Sequence, residues 1–91
     1  MTQPVTPHDT PASPLTLNGR AAAQVRALMA ARRKTSTELG HILGISQSAA
    51  SRRMTGDGPF SLDEIQATAD WLDVPITDII APASHGLSYA P

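Results

Sequence analysis

Between Asn18 and Ile80 the apolar residues recur every three or four positions, the spacing of a buried helical face, and no stretch alternates with period two for more than a few residues. Ala22, Val25, Leu28 and Met29 mark the stripe of a first helix, with Asn18 as its N-cap and its end at about Arg33. Thr35 followed three residues later by Glu38 is a capping box, so a second helix begins at Ser36. Leu39, Ile42 and Leu43 give it an apolar face, and Gly40 on that side admits a closely packed neighbouring helix. Gly44 stops it in the left-handed conformation, Ile45 turns inward, and Ser46 caps a third helix from Gln47 to about Met54.

Gly56 ends the third helix, Thr55 to Pro59 form a loop, and Phe60 returns to the core. Ser61 with Glu64 is a second capping box, opening a fourth helix whose inward residues are Leu62, Ile65, Ala69 and Leu72. Val74-Pro75 breaks it, and Pro75 to Ile80 read as a short fifth helix with proline at its start. Asp73 stands where glycine or asparagine ordinarily ends such a helix, so a differently shaped terminus is expected there. The expected fold is all-α, a compact bundle of five helices. Residues 1–14, with four prolines and hardly a large apolar group, are expected as a disordered arm; 15–82 form the domain and 83–91 a flexible tail.

Length changes the picture only slightly: 91 residues make one domain, with a core near the lower limit of self-sufficiency, so a homodimer is expected. Trp71 lies off the strongest apolar face, as a core edge or as a dimer contact. Charge changes it more. The total is −1, yet all seven basic residues lie between Arg20 and Arg53, where Glu38 is the only acid, for a local charge of +6. From Met54 onward there are six acids and no lysine or arginine. Such asymmetry points to nucleic acid on the positive half, beside the simpler reading of two helical faces of opposite sign attracting each other.

Other chemistry is sparse. There is no cysteine, so neither a disulfide nor a thiolate metal site is available. His8, His41 and His85 have no partner at metal-ligand spacing, Gly56-Asp57-Gly58 is followed by proline rather than by a lysine-bearing helix, and the serines lack a base. An enzyme, a cofactor, a metal and a small-molecule substrate are not expected. No basic leader followed by an apolar run and no membrane-length apolar stretch is present, so a cytoplasmic location is expected.

Two short helices joined by a glycine turn, over about residues 35–55, form a helix-turn-helix. Leu43-Gly44-Ile45-Ser46-Gln47-Ser48, Ser51-Arg52-Arg53 and Gly56 resemble the turn and recognition helix of the lambda-repressor and Cro type, the XRE-type DNA-binding proteins. The likeness extends through Leu62-Asp63-Glu64-Ile65, Ala69, Leu72-Asp73-Val74 and Ile79, spanning roughly residues 18–80. It implies a transcriptional regulator that binds operator sites in double-stranded DNA through the major groove, with a phage or prophage repressor foremost. An antitoxin or restriction-control regulator of the same fold, and a helical protein-interaction module without groove reading, are the alternatives. The last would carry apolar anchors where this third helix is polar.

In that docking mode the N-terminal end of the third helix enters the groove, so Gln47, Ser48, Ala49, Ser51 and Arg52 are the expected base readers. Phosphate contacts are expected from Arg33, Lys34, Arg53 and Thr55, and the resemblance places Ser36 with Gln47 at the DNA backbone. For Arg32-Arg33-Lys34 an equal alternative is compensation of the first helix dipole, since these residues close that helix. Arg53 stands where many relatives have an aliphatic residue; its stem can lie along the bundle while its head reaches a phosphate.

Overall fold

The structure, a computed structural model, describes residues 16–81; the segments expected as an arm (1–14) and a tail (83–91) lie outside the described residues. It is all-helical, with α1 at Leu17–Ala31, α2 at Ser36–Leu43, α3 at Gln47–Thr55, α4 at Leu62–Leu72 and α5 at Thr77–Ile80. α1 packs against α3, α4 and α5, while α2 packs against α3 and α4. Val25, Met29, Leu39, Ala50, Ala69, Leu72 and Ile79 are buried at the centre. Among the described residues no helix is long and apolar enough to cross a membrane.

Each start and stop has a local cause. Thr35 and Ser61 accept from the backbone N–H of Glu38 and Glu64, whose carboxylates accept from the two cap N–H groups in return. Ser46 accepts from Ala49 N–H to open α3. Gly44 (φ +70°) and Gly56 (φ +88°) hold the left-handed conformation that ends α2 and α3.

Several expectations are corrected. The N-cap of α1 is Thr16, whose hydroxyl accepts from Gly19 N–H; Asn18 instead reaches the far end of α3, its Nδ2 donating to Gly56 carbonyl at 3.4 Å and its Oδ1 accepting from Phe60 N–H at 3.0 Å. α1 stops at Ala31 rather than Arg33, because Arg33 takes φ +57° and the N–H groups of Arg33 and Lys34 turn back to the Ala30 and Met29 carbonyls. This is a Schellman closure made without glycine. Arg32, Arg33 and Lys34 therefore follow the helix instead of forming its last turn.

Asp73 likewise ends α4 in the usual left-handed shape (φ +60°), with Val74 N–H closing on the Ala69 carbonyl. Leu62 is 83% exposed and not an inward residue; Thr68 is buried in α4 instead. Gly40 admits the turn rather than a helix: a Cβ there would stand 2.9 Å from the Ile45 carbonyl oxygen. α5 begins at Thr77, two residues later than expected.

Candidate nucleic-acid interface

α2, the Gly44 turn and α3 form the helix-turn-helix, and its geometry begins with one side-chain bond across the turn. Gln47, in the first turn of α3, donates from Nε2 to Ser36 Oγ at 2.9 Å and to Ser51 Oγ at 3.3 Å. Ser36 is the first residue of α2, so the N-termini of both helices are joined at one point. Gln47 is thereby held in one orientation while remaining exposed.

Around it, Ser48 and Arg52 are exposed, and Ala49 and Ser51 are half-buried at the edge of the same face. Ala50 is fully buried and Met54 packs on the core, which directs the polar side of α3 outward. The structure thus brings Ser36, Gln47 and Ser51 into contact and leaves Ser48 and Arg52 facing solvent on the same short helix. His41 is also exposed, on α2.

The residues expected at phosphates are placed less uniformly. Arg33 is exposed at the α1 to α2 junction, two residues before Thr35, the N-cap of α2. Lys34 Nζ lies over the Trp71 ring, 5.4 Å from its centroid, a cation–π contact that covers one side of Trp71. The Thr55 hydroxyl lies 3.2 Å from both the Arg52 carbonyl and the Asp57 carboxylate, so an acid stands beside the position expected to meet a phosphate.

Arg53 has a competitor for phosphate within the fold. Its Nε and Nη2 donate to Glu64 Oε1 and Oε2 at 3.0 and 3.1 Å, and both side chains are 19% exposed. The bidentate bond from Arg53 holds the Glu64 carboxyl below its ordinary range, against the opposing effect of burial, with the Ser61 N–H as a further contribution. The same bond raises the Arg53 pKa. Arg26 adds a second tie to α3, donating from Nη1 to the Met54 carbonyl.

Local sequence signals did not reveal Asn18, Arg26 and Glu64 as the residues that hold α3. Their partners lie 38, 28 and 11 positions away. Opposite charge on the two halves was the one available hint, and the Arg53–Glu64 pair joins them. Among the described residues no group of three or more histidine, cysteine, aspartate or glutamate side chains is arranged to hold a metal ion.

The family model described as BetR domain matches residues 14–88. No match is found among curated proteins. Among solved structures, the chain is similar to the clp gene regulator ClgR from C. glutamicum, with TM-score 0.68 and 19% identity over 82% of this chain and 97% of that one. It is also similar to the hypothetical transcription factor NHTF from Neisseria, with TM-score 0.72 and 18% identity over 98% of each chain. At these identities the likeness is one of fold.

Proposed function

This chain belongs to the BetR domain family, and from that membership and the face of α3 we propose that it is a DNA-binding transcription regulator reading the major groove. The observation that carries the reading is the Gln47–Ser36 bond, which fixes a base-reading side chain at the N-terminus of an outward, polar, arginine-bearing helix. The two structural neighbours are named as regulators, which supports the same reading.

With Nε2 of Gln47 held by the serines, its Oε1 is the atom presented to a base edge, suited to the N6 amine of adenine or the N4 amine of cytosine. Arg52 supplies a bidentate donor for guanine O6 and N7, Ser48 and Ser51 short polar contacts, and Ala49 a methyl against thymine. In this reading Ser36 and Arg33 meet phosphates beside the start of α2, and Lys34 and Thr55 join them by leaving Trp71 and Asp57. Arg53 joins them by exchanging Glu64 for phosphate, or holds α3 against α4 when it does not. The finer reading is a repressor of the Cro or phage type, acting in the cytoplasm as a homodimer on paired half-sites.

The test is selection from a library of genomic double-stranded fragments at near-physiological salt. Enrichment of one short motif with two related halves is the expected result. Recovery of random fragments alone, at affinities indifferent to sequence, would overturn groove reading.

A further inference from the structure

A mainly apolar groove of about 290 Å³ opens between α1, α4 and α5, lined by Leu17, Ala21, Phe60, Leu62, Ile65 and Ile80 together with the polar Asn18. It shares no residue with the proposed DNA face. Two of its walls are, among the described residues, the large apolar side chains left most open to solvent, Leu17 at 54% and Leu62 at 83% exposure. A leucine at that exposure on the first turn of a capped helix loses nothing by being polar, unless something covers it.

The chain itself leads to the groove. Ile80 forms part of its wall, and Ala81 continues from there in extended geometry (φ −66°, ψ 150°). Beyond Ala81 lie Leu87 and Tyr89, the single tyrosine of the protein, after a stretch of small residues, histidine and Gly86 that permits a reversal. Leu87 is six positions past Ala81, an extended reach of about 20 Å, and a return to a wall one residue before Ala81 needs no more. The family match runs past α5 to residue 88, a range that takes in Leu87 and stops one residue short of Tyr89.

We propose that the groove is a docking site for the chain's own C-terminal segment, with Leu87 and Tyr89 as its apolar anchors against Leu17, Phe60 and Leu62. The segment then completes the small core at the end of the bundle that α5, only four residues long, leaves open. This proposal is independent of DNA reading.

The experiment is a thermal-melting cycle on the full chain with Leu62→Ala, Leu87→Ala and the double variant, with molecular mass measured by sedimentation. In an open groove Leu62→Ala removes no buried contact, and alanine is the slightly better helix former, so Tm would hold or rise. With the segment docked, each single variant lowers Tm by about 4 °C or more, and the double variant melts no lower than the weaker single one, with mass unchanged throughout. An unchanged Tm for Leu62→Ala, or additive losses, overturns the proposal. So does coupling of Leu62 to Leu15→Ala instead of Leu87→Ala, which would make the N-terminal segment the occupant. A dimer mass lost in both single variants, with Tm rising with concentration, would assign the groove to a second copy and likewise overturn it.

Discussion

Arg53 and Glu64 clasp α3 to α4 through two parallel hydrogen bonds, at 3.0 and 3.1 Å, while the same Glu64 oxygen that receives Arg53 Nε also accepts from the Ser61 N–H. One carboxylate therefore caps the start of α4 and anchors the last turn of α3. Because Glu64 titrates below its ordinary value of 4.5 in the folded protein, its contribution is complete above that value and is lost as pH falls through the lowered one. Glu64→Gln keeps the capping box, since glutamine also serves at that position, but removes the ion pair. The expected result is a loss of about 0.5 to 1 kcal/mol at neutral pH, with a difference from the native chain that shrinks below pH 4. An equal difference at both pH values would show that the charge pair contributes nothing.

Gly40 and Gly44 test the turn from opposite sides. At Gly44 a Cβ would meet nothing within 4 Å, yet φ is +70°; at Gly40 the added atom would stand 2.9 Å from a carbonyl oxygen. Gly44→Val is expected to cost roughly 1 kcal/mol or more from backbone strain. Gly40→Ala should cost about 1 to 3 kcal/mol, because the Ile45–Ser46 backbone must move. Gly58→Ala should cost less than either, since its nearest neighbour at 3.3 Å is the tip of the Arg53 side chain. Denaturant unfolding orders the three; Gly58→Ala as the most damaging would contradict this packing.

Thr68 is fully buried in α4, and its hydroxyl finds no hydrogen-bond partner among the described residues. An unmet buried hydroxyl costs about 1 to 3 kcal/mol, and valine has nearly the same shape. Thr68→Val is therefore expected to raise stability by about 1 kcal/mol, seen as a higher denaturation midpoint with an unchanged slope. A lower midpoint would mean that the hydroxyl is satisfied in solution.

The fold was legible because its punctuation is local. Both capping boxes, Ser46 and the two left-handed glycines act through partners within a few residues, and the apolar period supplied the faces between them. Leu62 misled because periodicity places a residue on a side of the helix without showing whether a neighbour reaches that far along it. Asn18 misled for a related reason: asparagine caps helices, but here its amide bonds to Gly56 and Phe60, and Thr16 already meets the orphan N–H of α1. In the candidate site, the outward face of α3 could be read from helical geometry, and its pairing of Gln47 with Ser36 came from the family resemblance. The fate of Arg53 could not be read, since an acid 11 positions away decides it.

In the proposed function α3 reads bases while the flanking cations hold phosphates. The most direct measurement is a salt titration of Gln47→Ala, Arg52→Ala and Arg33→Ala on the selected duplex and on a scrambled one. Log affinity should fall linearly with log salt, by about 0.9 per phosphate neutralised. Arg33→Ala should weaken both duplexes alike and reduce that slope by about one. Gln47→Ala and Arg52→Ala should each remove about 1 to 3 kcal/mol of discrimination, so that the ratio of specific to scrambled binding drops roughly 5- to 150-fold. A ratio unchanged in both of these variants would contradict the account, because α3 would then not be reading the groove.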